Sequence, residues 1–417
     1  MKNCLATLLL TLSAPAWALE ISPEKDQHYR KTGDNVIFKV QLDKGRKNLH
    51  FIAEIDGNNE IRNSNLRVLA DGNGQAEISV PALKSGFILV TVKDNGKKAA
   101  AGVAVDPAGI RPGRQKSAAF DQYWNAVKNE FDLSPVRYEL TELPDPKAGF
   151  KAYEVKFLLG GEGKDGYAAL TIPAKAVPGR CAARVVFQPA GVDYARPLYY
   201  ADAITLVVNP LPIKHNGPNM SQTIKPEGKF FRYWNWMPND PKNVFPDMFK
   251  RVLRSLQFVK SLPEWDQRTL IVSGRSQGGA QALAAAGMDP QVTMCVAYVP
   301  ALCDHGGYAA GNVSGWPRYC NFKEYRDDPE KILTKADLID VTFFAQNITD
   351  AEVVVSCGFI DTTCFPASVH AAFNVIPAKN KMMIDDLHST HSTPGSTYSK
   401  GEKRIAEHIK KMQSALK

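Results

Sequence analysis

A chain of 417 residues is longer than one hydrophobic core usually organises, so two domains are expected, one of them large. With 44% hydrophobic and 23% charged residues the composition is ordinary for a globular protein, which excludes extensive disorder and a long coiled coil. The formal net charge of +8 comes from 51 Lys and Arg interspersed with 43 Asp and Glu. That is a solvated surface rather than a nucleic-acid footprint, because no motif or basic-aromatic platform accompanies it.

The first element is a leader. Lys2 precedes the apolar run Leu5 to Leu12, and Ala16-Trp17-Ala18 supplies small residues for a signal peptidase, so residues 1–18 read as a secretory signal and the protein as exported, periplasmic or extracellular. The run is well short of the roughly 20 residues that span a bilayer, and no later segment is apolar enough, so no membrane span is expected. Loss of the leader removes Cys4 and leaves cysteines at 181, 295, 303, 320, 357 and 364, whose spacing names no disulfide pairs.

Residues 19–106 read as an all-β module. Strand-like runs at Asn35 to Leu42, Asn48 to Asp56, Ala76 to Val80 and Phe87 to Val92 are separated by Asp71-Gly72-Asn73-Gly74 and Asp94-Asn95-Gly96, which suit tight hairpins. An immunoglobulin-like sandwich fits that count and spacing. Pro107 to Gly113 resembles a linker, after which Phe120, Trp124, Val127 and Phe131 recur at helical spacing and predict a helix that covers the next domain.

From about Tyr138 the pattern changes. The runs Tyr153 to Leu159 and Tyr167 to Ile172 lead into strands alternating with helices, which predicts an α/β domain over residues 107–417 with a doubly wound, mostly parallel sheet. The expected strands are Val185 to Gln188, Ala203 to Val208, Thr269 to Ser273, Thr293 to Tyr298, Glu352 to Cys357 and Lys381 to Ile384. Helices are expected over Phe245 to Ser261, Gln277 to Gly287 and Pro366 to Pro377, and Ile405, Ile409 and Met412 mark an amphipathic closing helix within Lys400 to Lys417.

One motif in this alternation carries chemistry. The apolar strand Thr269 to Ser273 runs into Gly274-Arg275-Ser276-Gln277-Gly278 and then the Ala/Gly-rich run to Gly287, so G-x-S-x-G sits between a strand and a helix. Such a turn holds the serine on strained backbone with its hydroxyl clear of the sheet, and only glycine on either side lets strand and helix pack that closely. Ser276 is therefore the expected nucleophile of an α/β-hydrolase.

A serine hydroxyl needs an imidazole to take its proton and a carboxylate to orient that imidazole, and in this fold the acid and then the histidine follow the serine in the chain. Glu352 to Cys357 reads as a strand running into the Gly-containing turn Gly358-Phe-Ile-Asp361, which makes Asp361 the expected acid, with Asp385 and Asp386 as competitors. Lys381 to Ile384 leads to His388 and, three residues on, His391. His388 is preferred as the base because it lies nearer the strand end. The oxyanion hole calls for the amide of Gln277 and a second amide from the loop after Val185 to Gln188, where Gly191 and Val192 are the candidates.

At these residues the chain resembles the acetyl xylan esterase and cephalosporin-C deacetylase group of α/β-hydrolases. The resemblance runs from about Phe120 to the C-terminus. It is carried by Phe120-Asp-Gln-Tyr-Trp124, Tyr153 to Pro173, Leu262 to Gly279, Pro300-Ala-Leu-Cys-Asp304 and Gly358 to Pro366. It implies Ser276 as nucleophile, Asp361 as acid and His388 as base. Two family motifs differ here: the Arg-Gly-Gln after the strand following the oxyanion loop is replaced by about Asn209-Pro-Leu-Pro, and the His-Glu pair reads His388-Ser389.

The combined reading is an exported serine esterase that removes acetyl groups from a polysaccharide or oligosaccharide, with an acylated carbohydrate as its partner and neither metal nor cofactor. Trp234 and Trp236 are candidates for a sugar-stacking wall, with a place in the buried core as the plainer alternative. A serine peptidase and a carbohydrate-binding protein with a decayed site are the rival readings. Short acyl esters against peptide amides separate the first, and fluorophosphonate labelling of Ser276 the second.

Overall fold

The computed structural model describes residues 19–42, 50–56, 64–71, 73–94, 96–159, 165–191, 194–215, 230, 232–240, 242–321 and 328–414. The expected leader lies outside these residues. Among them, no helix is long and apolar enough to cross a membrane. The six cysteines from Cys181 to Cys364 are free thiols.

The N-terminal module contains β1 (Glu20–Pro23), β2 (Tyr29–Arg30), β3 (Asn35–Gln41), β4 (His50–Asp56), β5 (Ser64–Leu69), β6 (Gln75–Pro81), β7 (Gly86–Asp94) and β8 (Lys97–Val105). These strands make two sheets, ordered β1-β3-β6 and β2-β8-β7-β4-β5. In β3 burial alternates, with Val36, Phe38 and Val40 inward and Lys39 outward, the period of a strand with one wet face. In β7 it does not: every residue from Gly86 to Val92 is buried. Ile88, Val90 and Val92 fill the module's own core, whereas Phe87 and Leu89, on the other face, belong to the core of the following domain. The sequence reading did not anticipate β8. Its run Lys-Lys-Ala-Ala-Ala-Gly lacks the branched residues that mark a strand, because one face of it is pressed against a neighbour.

The second unit opens with α1 (Ala118–Leu133), capped by Ser117, whose Oγ accepts from the Phe120 amide at 3.3 Å. Phe120, Trp124, Val127 and Phe131 are all buried, as their spacing predicts. There follow β9 (Tyr138–Glu142), β10 (Phe150–Phe157), β11 (Gly166–Pro173), β12 (Cys181–Phe187) and β13 (Ala203–Val208), then α2 (Phe245–Ser261), β14 (Trp265–Arg275) and α3 (Gln277–Met288). The chain closes with β15 (Met294–Tyr298), α4 (Glu330–Ala336), α5 (Val341–Ala345), β16 (Glu352–Gly358), α6 (Pro366–Asn374), β17 (Lys381–Asp386) and α7 (Gly395–Ser414).

The strands form one nine-stranded sheet in the order β17-β16-β15-β14-β12-β13-β11-β10-β9. It is parallel from β17 to β13, and β11, β10 and β9 extend it antiparallel. One face packs on α1, α2, α3, α5 and α6, and the other takes Ile405 and Ile409 of α7. From β12 the chain first steps outward to β13 and then returns to place β14 on the other side, so the winding reverses at β12 and β14. Crevices at the carboxyl ends of strands flanking such a reversal are where open α/β sheets place their ligands.

Candidate active site

The carboxyl end of β14 is the turn the sequence singles out. Ser276 sits at φ 58° and ψ −120°, a conformation that costs an L-residue energy and that its surroundings enforce. Its N–H donates to Tyr298 O at 2.8 Å and its carbonyl accepts from Ala301 at 3.0 Å, tying the turn to the end of β15. The flanking glycines are steric necessities. A methyl on Gly274 would lie 2.3 Å from Gly278 O, and one on Gly278 would lie 2.1 Å from Phe187 O at the end of β12. Strand, turn and helix thus approach at distances that only glycine permits.

Above this turn the serine hydroxyl meets an imidazole. His391 Nε2 lies 2.9 Å from Ser276 Oγ, and His391 Nδ1 lies 2.8 Å from Asp361 Oδ2. Asp361 is wholly buried, and its second oxygen accepts from the amides of Thr363 at 2.7 Å and Cys364 at 3.0 Å. Those amides give the buried carboxylate the hydrogen-bond partners that burial requires. Ser276 keeps 9% of its surface and the His391 side chain 23%, so the imidazole edge meets solvent. Cavities of about 550 Å³ beside β1, β3 and β6 and about 590 Å³ beside Tyr29, Asp385 and Arg404 lie elsewhere, so side-chain chemistry rather than volume marks this site.

Comparison with known proteins gives the family. The acetyl xylan esterase family, AXE1, matches residues 109–403. The chain belongs to the acetyl xylan esterase family. Membership places it among ester-hydrolysing enzymes that act on carbohydrates. A relative, acetyl esterase Axe7A of Xylanibacter ruminicola, is 29% identical over 340 residues, covering 78% of this chain and 76% of its own. Two solved structures share the fold. The acetyl xylan esterase from Paenibacillus sp. R4 is 21% identical with a TM-score of 0.62, over 72% of this chain and 98% of that one. Acetyl xylan esterase 1 from Thermoanaerobacterium sp. JW/SL YS485 is 20% identical with a TM-score of 0.61, over 72% and 97%.

In this acetyl xylan esterase family member one expected site residue is misplaced. His388, preferred as the base, is not in the hydrogen-bonded line; its ring packs edge-on against His28 with centroids 5.2 Å apart. The reason lies in the loop after β17. Ser389 N–H donates back to Asp386 O at 3.2 Å, a turn that points His388 at the N-terminal module. The chain then crosses Gly358, where a methyl would lie 2.4 Å from Ser389 O and 2.6 Å from Thr390 O. Only beyond that crossing can a side chain reach Ser276, and the first imidazole there is His391, whose carbonyl is held by Arg275. Proximity to the strand end does not decide which imidazole lies against Ser276.

The competing acids are engaged elsewhere. Asp385 accepts from Tyr29 at 2.6 Å and Asp386 from Thr397 at 2.6 Å. Of the oxyanion candidates, Gln277 opens α3, where the first backbone N–H groups have no partner within the helix and the dipole favours an anion. Its side chain is drawn away by Tyr233, whose hydroxyl donates to Gln277 Oε1 at 2.6 Å. Gly191 has φ +78° on the loop after β12, and Val192 lies outside the described residues. Sequence reasoning also missed Tyr233, the Thr363 and Cys364 amides and Arg275. Only the amides left a signal, since Asp361-Thr-Thr is the pattern of an aspartate capping its own turn.

Trp234 and Trp236 are half-buried, and Trp234 lies 6.3 Å from Trp316, centroid to centroid. Both tryptophans border the elbow through backbone neighbours. Tyr233 touches Gln277, and Trp316 O accepts from Leu302, next to the Ala301 that binds Ser276.

Proposed function

We propose that this protein is an exported serine carbohydrate esterase that hydrolyses acetyl esters on a polysaccharide or oligosaccharide through an acyl-enzyme on Ser276. The observation that carries the reading is the unbroken line from Asp361 Oδ2 through His391 to Ser276 Oγ, with contacts of 2.8 and 2.9 Å. In it, Nδ1–H donates to the buried carboxylate, which leaves Nε2 free to accept the serine proton as Oγ attacks the ester carbonyl. The amide of Gln277 and one from the Gly191–Val192 loop receive the charge on the carbonyl oxygen. Collapse expels the sugar alcohol, which takes its proton from His391 Nε2, and water then repeats the sequence on the acyl-serine.

Two further features support the details. The half-buried pair Trp234 and Trp316, bonded through neighbours to the elbow, suits the apolar face of a sugar ring. Residues 1–18 have the composition of a leader removed on export. The two sheet orders of the N-terminal module, β1-β3-β6 and β2-β8-β7-β4-β5, support an immunoglobulin-like reading for it.

Acetate release from acetylated xylo-oligosaccharides, compared with cleavage of peptide amides, tests the proposal. The expected result is turnover of the esters alone, and a fall in kcat of at least about 10⁴-fold in Ser276→Ala. Release that survives Ser276→Ala, or turnover of amides alone, sinks it.

A further inference from the structure

The acid and the base stand on separate loops that are stitched into one piece. The Phe359 amide donates to Asp386 O at 3.0 Å and the Ile360 amide to Ser389 O at 3.1 Å. With the crossing at Gly358, this means that a displacement of either loop displaces Asp361 and His391 together. Phe359 lies two residues before the acid, and His388 three before the base.

The N-terminal module holds this piece at three points. Gly102 of β8 lies so close to Phe359 that a methyl there would sit 2.2 Å from the Phe359 carbonyl oxygen. The Phe359 ring is enclosed edge-on by Phe87 at 5.0 Å, Tyr29 at 5.5 Å and His28 at 6.3 Å. The second point is His388, which packs on the His28 ring; His28 is itself fixed by Nδ1, 2.9 Å from Gly102 O. The third is Asp385, at the end of β17, which accepts the Tyr29 hydroxyl at 2.6 Å. Burial, and then Asp385 itself, keep that hydroxyl protonated and therefore a donor. On the other side, bonds from His370, Tyr29 and Cys357 outweigh burial and hold the Asp385 carboxyl below its usual range. Backbone bonds anchor the gripping residues: Ala104 donates to His28 O at 2.8 Å and Asp106 to Arg30 O at 2.9 Å.

We propose that the N-terminal β-module is a working part of the active site: His28, Tyr29 and Gly102 are positioning residues that set the joined acid and base loops against Ser276. The module's five-stranded sheet is a bracket for Asp361 and His391, which accounts for the small residues of β8 and for the double-sided burial of β7. The inference rests on the serine reading above. Because no hydrogen bond or ring contact among the described residues joins His28, Tyr29 or Gly102 to the elbow or the tryptophans, releasing the bracket misaligns proton transfer and leaves substrate binding in place.

The test uses the full chain with Gly102→Ala, Tyr29→Phe and a control at the exposed Lys98, Lys98→Ala. Tyr29→Phe keeps the ring against Phe359 and deletes only the hydroxyl, so it remains informative if Gly102→Ala folds poorly. Measured are kcat and KM for acetate release, the rate of fluorophosphonate labelling of Ser276, and the melting curve. A misplacement of about 1 Å costs up to on the order of 100-fold in rate. The expected result is a fall in kcat of about 10- to 100-fold for Gly102→Ala and a smaller fall for Tyr29→Phe, with KM unchanged. Labelling slows in parallel, the protein stays folded, and Lys98→Ala behaves as wild type. If Ser276→Ala is inactive while Tyr29→Phe and every folded Gly102→Ala molecule keep wild-type kcat and labelling rate, this inference alone is overturned. Acetate release surviving Ser276→Ala overturns the serine reading and this inference with it.

Discussion

The turn at Ser276 and the loop at His391 meet at one hydrogen bond, yet they are held by different kinds of contact. Around Ser276 the constraints are near in sequence or on adjacent strands: Gly274 against Gly278, Gly278 against Phe187, Ser276 N–H on Tyr298. Around His391 they come from afar, through Gly358, Arg275, Asp361 and, one layer out, His28 and Tyr29 of the other module. Ser276 is thus placed by steric necessity, which tolerates little variation, and His391 by the summed fit of a loop against several neighbours. A steric site announces itself in glycines. A fitted loop announces nothing beyond its candidates.

The largest effect that separates the two regions is expected at the histidines. His391→Ala should lower kcat by about 10⁴-fold or more, whereas His388→Ala, which removes only a packing partner of His28, should cost no more than about tenfold. Steady-state acetate release from both variants decides it, and equal losses at the two positions would break the distinction drawn here between reaching Ser276 and facing the module.

A second test bears on the elbow. Gly278→Ala places a methyl 2.1 Å from the Phe187 carbonyl, and backbone cannot swing aside as a side chain can. The expected cost is about 1–3 kcal/mol of stability, seen as a lower Tm, together with slower fluorophosphonate labelling because Ser276 moves with the turn. An unchanged Tm and labelling rate would mean that the elbow is softer than its contacts imply.

The last test concerns the support beneath the elbow and reads stability alone. Asp304, three residues beyond the Ala301 that binds Ser276, is buried beside Asp340, and burial first, then that neighbouring carboxylate, push its carboxyl up to about 8 against an ordinary 3.8, with the Gly113 amide opposing. Between those values the folded protein holds a proton that the unfolded chain has released. Stability contributed by this group is therefore complete at low pH and declines as pH rises from about 4 to about 8, by at most about 1.4 kcal/mol per unit. Asp304→Asn keeps an acceptor for the Gly113 amide and should flatten that slope, as followed by denaturant unfolding across the range. A slope identical to wild type would show that Asp304 ionises freely in the fold.

Much of this protein is readable from its residues because local physics decides it. The stripe of Phe120, Trp124, Val127 and Phe131 is a buried helix face wherever it packs, the branched runs at β14, β15 and β16 are strands buried on both faces, and Gly274 to Gly278 can serve only a close strand-to-helix turn. The place of Asp361 is local too: it follows a strand end and accepts from amides two and three residues on.

Other features belong to the tertiary structure alone. The Ala-Gly run of β8 carries no strand pattern of its own and makes sense only with Phe359 pressed against Gly102, and the choice between His388 and His391 depends on a chain crossing at Gly358 that no periodicity encodes. Local sterics and hydrophobic pattern act over a few residues and leave their mark in the sequence. The direction of a loop side chain is set by contacts hundreds of residues away, and that information exists only once the two modules are packed together.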